Sequence, residues 1–464
     1  MAERARAEDE ATRRLRALPH MRSLLVAELS SSLGSTMALL GIAYLSYDAS
    51  RSVLHTVLVS AAYSLPMATF GMVAGRLAQR VERRLLLVGC YGAKILLYSA
   101  MAALAAAGEL GVPELMVAAV LAGTTSAFTT PAWMEYERDL VPADRLAEVN
   151  GALGGAAAAA GLAGSVLGGA LMSAVGVWSV FALDAASYLP YVWVIFRTRV
   201  PGRSAPTTGR ISFRQTTAYV RAHPALWQAF GRIALLSLLV APVVQLLPAV
   251  ASQISASRST LGTLTAFYGV GAMSVAWVIH VLERRFAPQR IIDVSFLATS
   301  AILLAFGLFG DPLDPPVVWG FLAASLVPLG LLLSLGQSVI ASIVQVRVEE
   351  QMEGPVFALY AIVYTLVAPA GGLALGWVAD TRAVWTAVTV AGVGMVALTA
   401  VLWSRQLLAA RAEAPPEGPL HHRATRFRLH HAQSGAFPLV HHEHVRRAAA
   451  AARGDGRPAP HQRG

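Results

Sequence analysis

Three ionisable side chains stand inside otherwise apolar stretches of this 464-residue chain: Glu28, Lys94 and Asp184. A charge at the centre of a membrane span costs about 2.5–3.5 kcal/mol on insertion scales, so each needs a chemical or structural reason. Glu28 and Asp184 are candidate protonatable carboxylates of the kind that relays protons within a membrane. Lys94 could be the fixed counter-charge of either, or could bind an anionic group of a substrate. The plainer alternative is a static pair of Lys94 with a carboxylate, which neutralises buried charge and does nothing else. Arg232, His280 and Asp293 fall near the ends of their stretches, where a long side chain snorkels and the others meet water.

The elements that carry these residues are about twelve apolar stretches, each close to the roughly 20 residues a helix needs to cross a bilayer. They run over Ser23–Tyr47, Leu54–Gly75, Leu85–Ala107, Pro113–Trp133, Ala147–Val175 and Trp178–Phe196. After a polar loop come Trp227–Val250, Thr260–Leu282, Ile291–Phe309, Val317–Val344, Val356–Val378 and Val384–Trp403. Composition agrees: charged residues make 14%, hydrophobic residues 55%, and the mean hydropathy is +0.55, whereas a soluble chain is about a quarter charged. An all-α polytopic membrane protein is expected, divided as a tail (1–22), six spans (23–197), a central loop (198–226), six spans (227–408) and a His- and Arg-rich tail (409–464).

Arginine counts orient the chain. One set of loops holds only Arg51, Arg258 and Arg382, whereas the central loop alone holds Arg197, Arg199, Arg203, Arg210, Arg214 and Arg221. The excess predicts a multi-pass protein of the cell membrane with both termini cytoplasmic. It also accounts for the net charge of +10 better than nucleic acid does, so no nucleic-acid partner is expected. Cys90 is the single cysteine, which excludes intrachain disulfides and cysteine-based metal or redox sites. There is no Walker A loop, since Ala93 precedes the only lysine, and no HExxH or nucleophile elbow. An enzyme is not expected, nor a cofactor.

Two echoes suggest duplication of the six-span unit. Val141–Val149 resembles Val348–Val356, and each leads into a span with a glycine pair, Gly168-Gly169 or Gly371-Gly372, before a Val-Trp. Parallel repeats of this sort build transporters whose halves rock around a midplane site.

At the loop after the second stretch, GMVAGRLAQRVERR carries Gly75, Gln79, Arg80, Arg83 and Arg84, and it resembles the loop motif of the major facilitator superfamily. LVPADRLAEVNGAL (Leu140–Leu153) and FALDAASYL (Phe181–Leu189) are similar to segments of its multidrug, macrolide and enterobactin exporter branch. The resemblance spans about residues 20 to 405 and implies the major facilitator fold, two six-helix halves of about twelve transmembrane helices. In that family an Asp in this loop closes an interdomain charge network. Gln79 occupies its place here and supplies no charge, so the gate is weaker or latched differently. Antiporters of the superfamily often carry Gly-Pro in the fifth span, where this chain has Gly164-Ser165, and the fourth span lacks the intramembrane Arg of many drug/proton antiporters.

Independently of the resemblance, Gly75 allows a tight exit from the membrane, and the loop arginines hold that end at an anionic leaflet. Gly161, Gly164, Gly168 and Gly169, with Gly371 and Gly372 in the second half, make smooth surfaces that serve either fixed packing or a rocking interface. Eight of the twelve histidines lie in the tail: His421, His422, His430, His431, His441, His442, His444 and His461. They could bind Zn, Ni or Cu weakly, but no dedicated metal site is expected.

The leading expectation is a monomeric secondary active exporter of a hydrophobic or amphipathic small molecule, such as an antibiotic, siderophore or other secondary metabolite. Protons, the substrate and the bilayer are its partners. An uptake permease or proton-independent facilitator is one alternative. A transport-incompetent receptor or metal sensor is another.

Overall fold

The structure is a computed structural model, and it describes residues 20–141, 145–198, 213–254, 257–310 and 315–413. Every regular element among them is helical. In the first half these are α1 (Met21–Ser50), α2 (Val53–Arg80), α3 (Arg83–Ala107), α4 (Val112–Leu140), α5 (Leu146–Ala174), α6 (Trp178–Ser187) and α7 (Leu189–Arg197). Then come α8 (Phe213–Ala222), α9 (Pro224–Leu239), a 3-10 turn (Ala241–Leu246), α10 (Leu247–Ile254), α11 (Arg258–Glu283), α12 (Pro288–Phe309), α13 (Pro315–Arg347), α14 (Glu353–Thr381) and α15 (Val384–Glu413). Among the described residues, 11 spans are long and apolar enough to cross a membrane, and α2, apolar over Val53–Met67, supplies one more.

Two spans are broken, and proline accounts for both breaks. It lacks an N–H, and its ring crowds the carbonyl four residues back. Pro190 starts α7, so the sixth span bends at Tyr188. Pro242 and Pro248 divide the seventh into α9, the 3-10 turn and α10. Pro242 leaves the Leu238 carbonyl without its usual donor four residues on, and α14 makes its close approach there. A Cβ on Gly371 would stand 1.7 Å from that oxygen.

The halves repeat one contact. A Cβ on Gly123 of α4 would lie 2.1 Å from the Tyr63 carbonyl of α2, and one on Gly330 of α13 would lie 2.0 Å from the Tyr268 carbonyl of α11. The second and fourth helices of each half are thus packed backbone to backbone, as small residues permit where lipid gives no hydrophobic drive for association.

The central loop departs from expectation, because part of it is α8. Thr216 and Val220, four residues apart, form its buried face, and the Tyr219 hydroxyl accepts the Glu349 backbone N–H at 3.2 Å. Arg232 does not snorkel. It is buried, its guanidinium donates to Asp293 on α12 at 3.1 Å, and the Trp403 indole N–H donates to the same carboxylate at 3.0 Å. Asp293 therefore has protein partners in place of the water expected for it. The histidine-rich tail from residue 414 onward lies outside the described residues, as do residues 1–19.

Candidate functional site: a carboxylate and tyrosine network in the first half

Three helices of the first half each carry a polar stripe at helical spacing, and packing turns the stripes toward one another. On α1 the stripe is Glu28, Ser32 and Ser35; on α3 it is Tyr91, Lys94 and Tyr98. Across the α6–α7 bend it is Asp184, Ser187, Tyr188 and Tyr191. Spacings of three, four and seven place side chains on one helix face, and α1 and α3 both pack on α6 and α7.

Asp184 is fully buried. Its Oδ1 accepts the Ser35 and Ser187 hydroxyls, both at 3.2 Å, and its Oδ2 accepts the Tyr188 hydroxyl at 3.4 Å. Room for the carboxylate comes from Gly34, where a Cβ would meet Ser187 Oγ at 2.5 Å and Asp184 Oδ1 at 2.9 Å. Ser35 Oγ and Tyr188 Oη also lie 3.1 Å apart. Each hydroxyl has one proton, so both can donate to an ionised Asp184, whereas a protonated Asp184 frees one to donate to the other. The network therefore has two hydrogen-bond arrangements that differ by one proton.

Lys94 forms no ion pair with Asp184. Its Nζ sits 5.2 Å from the centroid of the Tyr188 ring, a cation–π placement, and the same tyrosine's hydroxyl reaches Asp184. Tyr188 thus stands between the cation and the carboxylate as a hydrogen-bonding and electrostatic bridge. Lys94 and Asp184 also interact electrostatically across this distance.

Glu28 forms the second centre. Ser32 donates to its Oε1 at 2.7 Å, and the Tyr191 hydroxyl donates to its Oε2 at 2.5 Å. Aromatic rings connect the two centres. Tyr188 and Tyr91 have centroids 5.9 Å apart, Tyr91 stacks on Tyr191 at 4.9 Å, and Trp133 meets Tyr191 edge-on at 4.5 Å.

Sequence reasoning missed Glu137. It is buried on α4, its Oε1 lacks a hydrogen-bond partner, and it interacts electrostatically with Glu28 and Tyr191. A carboxyl oxygen held away from water without a donor is costly, and the only signal available in sequence was an acidic residue one turn beyond Trp133. The tyrosines were missed as well. Their signal was the seven-residue face from Asp184 to Tyr191.

The loop motif divides. Gly75, Gln79 and Arg80 fall in the last turns of α2, where side chains lie outside the description. Arg83 is buried and ion-paired with Asp139 of α4. Arg84 donates to the Phe196 carbonyl at 3.3 Å and covers the Phe196 ring at 5.5 Å. These two arginines tie the start of α3 to the ends of α4 and α7. The small residues divide too. Gly161, Gly164 and Gly168 face Thr36, Leu33 and Met37 of α1, and Gly371 faces Leu238, all within one half. Gly169 meets Gly262 of α11 and Gly372 meets Val57 of α2, across the halves. Among the described residues no group of three or more His, Cys, Asp or Glu is placed to hold a metal.

A polytopic helical bundle with two broken spans and polar residues buried between its helices has features of a membrane transporter. The family described as transmembrane secretion effector matches residues 16–440, and the chain belongs to it. No curated protein matches the sequence. Among solved structures, a bacterial homologue of the human lysosomal transporter Spinster, inward-facing and unoccupied, is similar with a TM-score of 0.65 and 14% identity, over 86% of this chain and 99% of that one. The nucleoside transporter NupG is similar with a TM-score of 0.67 and 12% identity, over 83% of this chain and 99% of that one. At such identity these likenesses carry the fold, and the fold supports secondary transport by alternating access.

Proposed function

We propose that this protein is a proton-coupled exporter of a hydrophobic or amphipathic small molecule, working as a monomer in the cell membrane with both termini cytoplasmic. Residues 23–197 and 227–408 are the halves that rock. The observation that carries the reading is the Asp184 centre, a buried carboxylate whose Ser35 and Tyr188 partners can rearrange when a proton arrives. A group whose hydrogen bonds depend on one proton, set between helices, is what coupling requires. Glu28, held by Ser32 and Tyr191, is the second carrier, and Lys94 sets the electrostatic background through Tyr188.

The halves meet at the end bearing Arg51, Arg258 and Arg382: the Arg258 guanidinium donates to the Tyr44 hydroxyl at 3.3 Å and to the Met172 carbonyl at 3.2 Å, and Ser252 donates to the Tyr47 hydroxyl at 3.4 Å. Under the arginine-derived orientation that end is external, and the export direction rests on the likeness of Leu140–Leu153 and Phe181–Leu189 to the exporter branch. A panel of amphipathic dyes in everted vesicles tests the proposal. An imposed pH gradient, acidic inside, should concentrate dye in vesicles carrying the wild type. Replacing both carboxylates (Glu28→Gln with Asp184→Asn) should abolish that while leaving the protein folded. Unchanged accumulation in the double variant refutes the carrier assignment, and dye moving only out of everted vesicles identifies an uptake permease.

A further inference from the structure

We propose that Asp380, at the C-terminal end of α14, is the latch that holds the Arg51 end of the transporter closed, by capping the N-terminus of α2 from the opposite half. The first N–H groups of any helix have no partner within it. On α2 they are Val53, Leu54 and His55. Ser52 caps its own helix conventionally, accepting the His55 N–H on its hydroxyl oxygen at 3.2 Å. The other two donors are taken by Asp380: Val53 N–H to Oδ1 at 2.8 Å and Leu54 N–H to Oδ2 at 3.2 Å. The Ser52 hydroxyl hydrogen completes the set, donating to Oδ2 at 2.5 Å.

A carboxylate at a helix N-terminus gains from charge-assisted hydrogen bonds and from the helix dipole. Most helices take their cap from the residue just before them, so the cap is indifferent to domain movement. Here part of the cap comes from a residue 327 positions away from Val53 in sequence, across the seam between halves. When that end opens, two backbone donors and a hydroxyl must turn to water together. The cap and the closed state therefore form and break as one event.

The approach of α14 is built into its sequence. Gly372, Gly376 and Asp380 recur every four residues and so share one face. A Cβ on Gly372 would stand 2.7 Å from Val57 Cγ1, and one on Gly376 would stand 3.1 Å from Leu54 Cα. The two glycines let the backbones close, and the carboxylate locks the last turn. Arg51, just before the capped helix, is paired with Asp48 at 2.7 Å. The resulting role is that of a positioning residue: Asp380 sets which end of the transporter is shut, and it takes no part in binding substrate.

This inference rests on alternating access and on the orientation proposed above, and the test separates all three. Spin labels on Glu109→Cys and Phe309→Cys, in a Cys90→Ser background, report the width of the Arg51 end in lipid nanodiscs without any transport. Wild type should give one short-distance population. Asp380→Ala and, more weakly, Ser52→Ala should raise the ratio of open to closed by at least about tenfold for the aspartate. Asp380→Asn keeps one acceptor but presents an amide donor to the helix, and should fall between. Distance distributions that superimpose for wild type and Asp380→Ala overturn the latch, whatever the transport assays give. A shifted distribution in a protein that moves no substrate upholds the latch and overturns the transport reading instead. Labelling of Glu109→Cys on intact cells by a membrane-impermeant thiol reagent supports an external latch, and labelling only after permeabilisation overturns that placement.

Discussion

Replacing Asp184 with asparagine separates coupling from folding, because the geometry of the site lets the amide keep most of the contacts. The carboxylate accepts three hydroxyls, from Ser35, Ser187 and Tyr188. An asparagine Oδ1 still accepts from the two serines, and its amide nitrogen can donate to the Tyr188 oxygen once that hydroxyl turns. Hydrogen bonds to a charged acceptor contribute about 1.5–3 kcal/mol and neutral ones about 1 kcal/mol, while removing the charge also relieves its burial. The net stability change for Asp184→Asn should therefore be small, within about 1 kcal/mol. Alanine is different. It takes the carboxylate from Ser35 and Tyr188, which are left with each other at 3.1 Å, while Ser187 keeps the residue-184 backbone carbonyl at 2.7 Å, and it leaves a void, at a cost of about 2 kcal/mol or more.

Thermal melting in detergent should accordingly rank wild type close to Asp184→Asn and well above Asp184→Ala. In everted vesicles Asp184→Asn should lose gradient-driven accumulation entirely, because an amide neither takes up nor releases the proton. Exchange of labelled for unlabelled substrate, which needs no net proton movement, should persist. Wild-type accumulation by Asp184→Asn would refute the reasoning. So would loss of accumulation and exchange together in a protein that melts like the wild type.

Two further substitutions probe packing that the sequence did not reveal. Gly371→Ala would push a methyl to 1.7 Å from the Leu238 carbonyl, so α9 and α14 must separate; a loss of about 1–3 kcal/mol is expected, read as a lower melting midpoint. Arg232→Leu leaves Asp293 with only the Trp403 donor and should cost about 3 kcal/mol, whereas adding Asp293→Leu should recover most of that loss, because two apolar groups replace a buried pair without an orphan charge. A double variant no more stable than Arg232→Leu alone would show that the pair does more than neutralise charge.

The sequence by itself determined that the chain is a helical membrane protein, where its spans lie, and that Asp184 is a charged residue within a span. Those properties follow from local quantities: runs of apolar residues long enough for a bilayer, proline positions, and the cost of placing Glu28, Lys94 or Asp184 in hydrocarbon. Even the stripes were present, as the spacings from Asp184 to Tyr191 and from Gly372 to Asp380. Their partners were not. Helical periodicity says which residues share a face but not which face of another helix it meets, so the Tyr188 bridge between Lys94 and Asp184, the Tyr191 contact to Glu28 and the Arg232–Asp293 pair had to come from packing. Charge counting likewise reads Arg232 as a free cation at a membrane surface, because nothing local to it announces a carboxylate 61 residues away. The cap on α2 marks the limit most clearly. Ser52 is legible as a cap from its place before a helix, but that the remaining donors are satisfied by Asp380 is decided only when two distant helices close on each other at Gly372 and Gly376.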